Sequence, residues 1–178
     1  MQDLLPRAAH LGARLKARGE TIAVAESSSG GLVAAALLSV PGASAYFEGG
    51  AVVYTATARA SLLAITPEDM AGLRSSSEPY ARLLSQRVQS RFGTTWGIAE
   101  TGAAGPSGNR YGDAAGHSCL AVSGPTELVR TIETGHADRT ANMRAFAAAL
   151  LDLLEEAIDL AGHEAGAAPG HANENGRP

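Results

Sequence analysis

The chain contains one cysteine, no long apolar run and no run of basic residues, and each lack removes a class of protein. With Cys119 alone, neither an internal disulfide nor a cysteine-built zinc site can form, and a reducing, cytoplasmic setting fits. No apolar stretch approaches the roughly 20 residues that span a bilayer, and Asp3, Arg7, Arg14 and Lys16 break up the N-terminal segment. Secretion and membrane insertion are therefore not expected. The formal net charge is −4, and without a basic stripe the chain is not expected to follow a nucleic-acid backbone. Spacings such as H-E-x-x-H and D-x-D are missing too, so no dedicated metal site is expected. No internal repeat is visible.

What is present is a 178-residue chain rich in alanine and glycine, of a size for one core and one domain. Leu4, Ala8, Leu11 and Leu15 recur at helical spacing, with Pro6 suited to a first turn and Gly19 to a helix end. The run Thr21-Ile22-Ala23-Val24 predicts a strand, and Ala25-Glu26-Ser27-Ser28-Ser29-Gly30-Gly31 predicts a tight turn into a helix ending near Leu38. Such a junction leaves N–H groups without intrahelical partners, which suits either a serine cap or an oxyanion site.

Further on, Phe47 to Tyr54 predicts a strand. Thr55 caps a short helix through Leu63, Thr66-Pro67-Glu68-Asp69 starts another, and Ser77-Glu78-Pro79 starts a longer one ending near Phe92. Thr95 to Glu100 reads as a strand that runs into the loop Thr101-Gly102-Ala103-Ala104-Gly105-Pro106-Ser107-Gly108. His117 to Val122 and Leu128 to Glu133 read as an antiparallel hairpin. Met143, Phe146, Leu150, Leu154 and Ile158 mark the apolar face of a last helix, and residues 161–178 lack periodicity, as a disordered tail would. The expected fold is a layered α/β/α domain, residues 1–160, with a mixed sheet including the late hairpin. In such folds ligands bind beyond strand ends, where both glycine-rich loops lie. His117 begins a strand beside the second loop, and Arg139 suits two-pronged binding of a carboxylate or phosphate.

Four segments in order carry a family resemblance. Ala25 to Gly31, Val40-Pro41-Gly42-Ala43-Ser44-Ala45-Tyr46-Phe47, Gly50-Ala51-Val52-Val53-Tyr54-Thr55 and Thr101-Gly102-Ala103-Ala104-Gly105-Pro106 resemble the C-terminal domain of the CinA (competence/damage-inducible) family. That is the PncC-type nicotinamide-nucleotide amidase. The resemblance implies hydrolysis of nicotinamide mononucleotide to nicotinate mononucleotide and ammonia, within NAD metabolism, without metal or cofactor. It implies Ser44 as nucleophile, with Ser27, Tyr54 and Arg59 as further catalytic positions. Glu26, Gly30, Gly31, Thr101, Gly102, Gly105 and Arg139 become substrate-binding positions, the two glycine turns lending backbone donors and Arg139 holding phosphate. A homo-oligomer is implied as well.

Three departures stand out. The family's A-E-S-C-T-G-G becomes Ala25-Glu26-Ser27-Ser28-Ser29-Gly30-Gly31. Glu100 stands where a small or apolar residue is usual. The lysine resembling the family's general base is Arg59, and a guanidinium stays charged where a buried lysine can lose its proton. Two expectations follow from Arg59. Either it holds Tyr54 as a phenolate that acts as base, or the chain is a nucleotide-binding or regulatory module with impaired hydrolysis.

Overall fold

The computed structural model describes residues 1–167. Its centre is a five-stranded sheet in the order β2-β1-β3-β4-β5. The strands are β1 (Ile22–Glu26), β2 (Phe47–Val52), β3 (Trp96–Ala103), β4 (His117–Ser123) and β5 (Leu128–Glu133). β1 runs parallel to β2 and β3, while β4 is antiparallel to both β3 and β5. This is the expected mixed sheet with its late hairpin.

Alternation along β1 sorts the core into two layers. Ile22 and Val24 face a cluster built with helices α1 (Leu5–Arg18), α2 (Leu32–Leu38) and α5 (Arg139–Ala167), including Leu11, Leu37, Ala147, Leu150 and Leu154. Ala23 and Ala25 face α4 (Glu78–Phe92) through Tyr80, Leu84 and Val88, together with Leu63 of α3 (Ala56–Leu63). Small residues on that second face let α4 come close. A Cβ on Gly97 of β3 would lie 2.2 Å from the Ser85 carbonyl oxygen, which is why only glycine fits there.

Three expectations need correction. The Thr66–Asp69 capping box forms, with Asp69 N–H donating to Thr66 Oγ1 at 3.2 Å and Thr66 N–H to Asp69 Oδ2 at 2.9 Å. The backbone beyond it makes only turns, because Gly72 adopts a left-handed φ of 75°. Thr101 to Ala103, expected as loop, pairs with Cys119 to His117 and lengthens β3. α5 continues to Ala167, past the expected start of the tail, with Ala161 in the core and no proline before Pro169 to stop it. Residues 168–178 lie outside the described residues. No described helix is long and apolar enough to cross a membrane.

Candidate functional site

The C-terminal ends of β1, β2 and β3 lie together, and the chain leaves each through a turn. Around these turns lie two adjoining cavities of about 400 Å³ and 290 Å³. Tyr54, Gly102 and Asn109 line both, so the two form one cleft.

The turn after β1 is less open than its serines suggest. Glu26 is buried, and its carboxylate accepts the N–H groups of Gly31, Val33 and Ala34 at 3.0, 3.1 and 2.9 Å. It thus caps α2, occupying the place where an anion would otherwise bind. Glu100, fully buried on β3, accepts from Ser27 N–H (3.2 Å), Ser29 N–H (2.8 Å), and the hydroxyls of Ser28 (2.5 Å), Ser29 (2.9 Å) and Ser118 (3.0 Å). The Ser29 hydroxyl also reaches Glu26 at 2.8 Å. One hydroxyl has one proton, so it serves one carboxylate at a time. Burial pushes the Glu26 carboxyl above its ordinary range, against the pull of Ala34, Val33 and Ser29, and nearby Glu100 adds to the push.

Two of the departures noted in the sequence therefore meet in space. Ser28 supplies a hydroxyl and Glu100 the buried carboxylate that receives it. Without Glu100 the buried Ser28 hydroxyl would lose its partner, whereas Glu100 would keep four other donors without Ser28. Glu26, Gly30 and Gly31 are accordingly corrected from substrate-binding to structural positions. Glu26 and the Gly31 N–H are spent on each other, and Gly30 lies by Met143 rather than in the cleft. Of the three serines, only Ser27 lines the larger cavity, and its hydroxyl has no hydrogen-bond partner among the described residues.

Ser44 lies elsewhere. It is an exposed residue of a 3-10 turn, Ala43–Ala45, that precedes β2, whereas Tyr54 follows β2. Six residues of strand separate them, about 20 Å at the usual rise. Within one chain Ser44 and Tyr54 do not meet. Arg59 and Tyr54 line the same cavity, but the Arg59 guanidinium sits 5.6 Å from the centre of the Tyr80 ring and 3.5 Å from Ser75 Oγ. Its aromatic partner is Tyr80, whose hydroxyl burial pushes up while Arg59 pulls it down.

The remaining positions fall on the cleft. Thr101 lines the larger cavity and accepts the Ser76 N–H at 3.2 Å, which ties the segment before α4 to β3. Gly105 and Arg139 line the smaller one, where Arg139 Nη1 donates to the Gly105 carbonyl at 2.7 Å.

Sequence reading missed the far wall. Arg110 and Tyr111 continue the glycine-rich loop into the larger cavity. Arg110 donates to the Tyr111 hydroxyl at 2.8 Å, and that bond holds the phenol below its ordinary range. Arg74 and Arg110 both lie over the Tyr111 ring, at 5.5 and 5.0 Å. The arginine-supported phenol sought at Tyr54 is found at Tyr111. The adjacent Arg-Tyr pair was its only trace in the sequence.

His117 supports this wall from beneath. It is buried, with Nδ1 2.5 Å from Glu133 and Nε2 3.0 Å from the Ser76 carbonyl oxygen. Burial works to lower its pKa, but Glu133, the Ser76 carbonyl and Asp113 outweigh it and raise the value above the ordinary range. Asp113 in turn is held low by its pairing with Arg74.

The fold and cleft define a three-layered α/β domain with a small-molecule-sized site at the ends of its parallel strands. The chain belongs to the CinA family, since the CinA C-terminal domain model matches residues 5–158. A CinA-like protein of Anaeromyxobacter sp. (strain K) is 42% identical over 148 residues, covering 82% of this chain and 36% of that protein. The chain thus spans about a third of the length of such curated relatives. A crystal structure of the competence/damage inducible protein CihA from Agrobacterium tumefaciens superposes with a TM-score of 0.81 at 26% identity, covering 88% of this chain and 96% of that one. A CinA superfamily protein from Klebsiella pneumoniae gives 0.82 at 25% identity, covering 88% and 98%.

Proposed function

We propose that this domain hydrolyses the carboxamide of nicotinamide mononucleotide, giving nicotinate mononucleotide and ammonia, in the cytoplasm. One observation carries the reading. Seven arginines pair with carboxylates. Arg59, Arg110 and Arg139 have no such partner among the described residues, and all three line the cleft. Unpaired guanidiniums in a cleft that also holds the exposed Tyr111 suit an anionic molecule with an aromatic ring, since charge-assisted donors and an aromatic surface are offered together.

In one chain the hydroxyl placed to attack a carboxamide carbon is that of Ser27. A serine needs a base to take its proton. Tyr111, which lines the same cavity and is held below its ordinary range by Arg110, is the group we assign to that task. Addition to the carboxamide gives an oxyanion, and collapse with protonation of the nitrogen releases ammonia. Water then attacks the acyl-serine to free the carboxylate. The test is ammonia release from nicotinamide mononucleotide by the pure protein. Ser27→Ala is expected to abolish it while shifting stability by less than about 0.5 kcal/mol. Full activity in that variant would remove Ser27 from the chemistry.

A second reading, binding with impaired hydrolysis, is favoured by a different observation. The chain's single lysine, Lys16, donates to the Pro41 carbonyl at 2.6 Å, at the opposite end of β2 from the cleft. No amine therefore lines either cavity to replace the one lost at Arg59.

A further inference from the structure

His117 stands where three separate pieces of chain meet, and both of its ring nitrogens face acceptors. From β5, the Glu133 carboxylate lies 2.5 Å from Nδ1. From the segment before α4, the Ser76 carbonyl oxygen lies 3.0 Å from Nε2, and from the loop after β3, Asp113 Oδ2 lies 3.8 Å from the same nitrogen. The other ionisable groups around the ring are Arg74, paired with Asp113, Cys119 on its own strand, 3.5 Å from Nε2, and Glu78 of α4, which accepts from the Thr131 hydroxyl. Only the imidazolium can donate from both nitrogens at once. Burial disfavours that form, but Glu133, the Ser76 carbonyl and Asp113 outweigh it.

Loss of the proton forces a choice between the two partners. A bond to a carboxylate is stronger than one to a carbonyl, so the neutral ring keeps its proton on Nδ1 for Glu133 and turns a bare Nε2 toward Ser76 and Asp113. Two lone pairs then oppose each other across 3.0 Å. Ser76 sits at a left-handed φ of 55°, a conformation that a serine holds only when its surroundings impose it. Its N–H donates to Thr101 Oγ1 at 3.2 Å, and Arg74 Nη1, 3.2 Å away, is the other donor to its carbonyl. Ser75, Ser76 and Thr101 line the larger cavity, and Ser75 Oγ meets Arg59. Asp113 closes the loop bearing Arg110 and Tyr111 through its bonds with Asn109. We propose that His117 is a positioning residue for the cleft: its imidazolium holds the Ser76 segment and the Asp113 loop in the geometry that receives an anion, and its deprotonation releases both.

Calorimetric titration with nicotinamide mononucleotide between about pH 6 and about pH 8.5 tests this. The choice of ligand rests on the nucleotide reading above, whereas the positioning does not. The wild type is expected to lose about fivefold in affinity as the ring deprotonates. The nucleotide's phosphate gains charge near about pH 6, which by itself would tighten binding, so the loss runs against the ligand's own titration. Glu133→Gln separates positioning from plain charge, and Glu133 is exposed enough for the variant to fold. The new amide can donate to Nδ1, so the neutral ring carries its proton on Nε2 and keeps the Ser76 bond. Binding to that variant should stay flat over the range. A fall that persists at lower pH would mean that the ring acts only as a charge, and a wild type that binds equally at every pH would mean that it does not position the cleft. Either result overturns the proposal. Nitrogen NMR of the ligand-free protein should show the neutral ring protonated on Nδ1 in the wild type and on Nε2 in Glu133→Gln, and one tautomer in both overturns it as well. Absence of binding at every pH would remove the nucleotide reading instead. The ligand-free Arg110 and Tyr111 amides then decide for His117: they should titrate with the ring in the wild type and stay still in Glu133→Gln.

Discussion

The turn after β1 and the wall beyond Tyr54 border the same cleft, yet they treat polar groups in opposite ways. In the turn, the Ser28 and Ser29 hydroxyls and the Ser27, Ser29 and Gly31 N–H groups each find Glu26 or Glu100. In the wall, Arg59, Arg110 and Arg139 find backbone, hydroxyls or aromatic faces but no carboxylate. The first arrangement makes a frame, since a buried donor must be satisfied within the protein. The second leaves charge to be met from outside. Glycines and serines at a strand end thus do not by themselves mark the ligand, because the chain's own acids can fill the place.

The comparison breaks most visibly at Glu100. Glu100→Leu strands four donors, the Ser29 hydroxyl keeping Glu26, and is expected to cost about 4 kcal/mol. Glu100→Gln should keep most of the stability, because its amide can donate to the Ser28 and Ser118 hydroxyls, which then accept. Urea denaturation of both variants decides this, and an unaffected Glu100→Leu would mean that the turn is not a frame.

On the cleft side, Arg59→Lys supplies an amine whose proton can be lost on burial. If the missing base limits turnover, ammonia release should rise by about a hundredfold. No gain would leave Tyr111 as the sufficient base. Arg110→Ala is expected to weaken nicotinamide mononucleotide by about tenfold in calorimetric titration while leaving the urea midpoint almost unchanged. A large loss of stability instead would place Arg110 with the frame.

The smallest effect concerns His117, between the two regions. Its folded-state pKa is raised, so its stabilising contribution is complete below the unfolded value of about 6.5 and is lost as pH rises through the folded one. Its partner Glu133 is 57% exposed, and solvent screening keeps the contribution small. The urea midpoint of wild type should fall slightly as pH rises from that region, and His117→Gln should flatten the slope.

The architecture was largely legible in the chain. Capping signals at Thr55 and Ser77, alternation at Ile22 to Val24 and the turn residues between His117 and Glu133 are local, and they place α3, α4, β1 and the hairpin. The site was legible only in part. Ser27, Tyr54, Arg59, Thr101, Gly102, Gly105 and Arg139 do line the cleft. Glu26, Gly30, Gly31 and Ser44 do not, because which donors are consumed internally and which strand end a turn occupies are long-range facts. Tyr80 was hidden for a related reason: on an apolar helix face it reads as core, and only packing shows that it also carries Arg59.

By itself, then, the sequence determined the elements, their order and the family, because propensity, periodicity and motif spacing act over a few residues. Tertiary structure decided that Ser28 meets Glu100, that Arg110 supports the Tyr111 phenol while Arg59 sits on Tyr80 rather than Tyr54, and that Ser44 and Tyr54 stand at opposite ends of the edge strand β2. Those outcomes depend on hydrogen bonds and packing between residues far apart in the chain, which the burial of β1 and β3 at the centre of the sheet brings about.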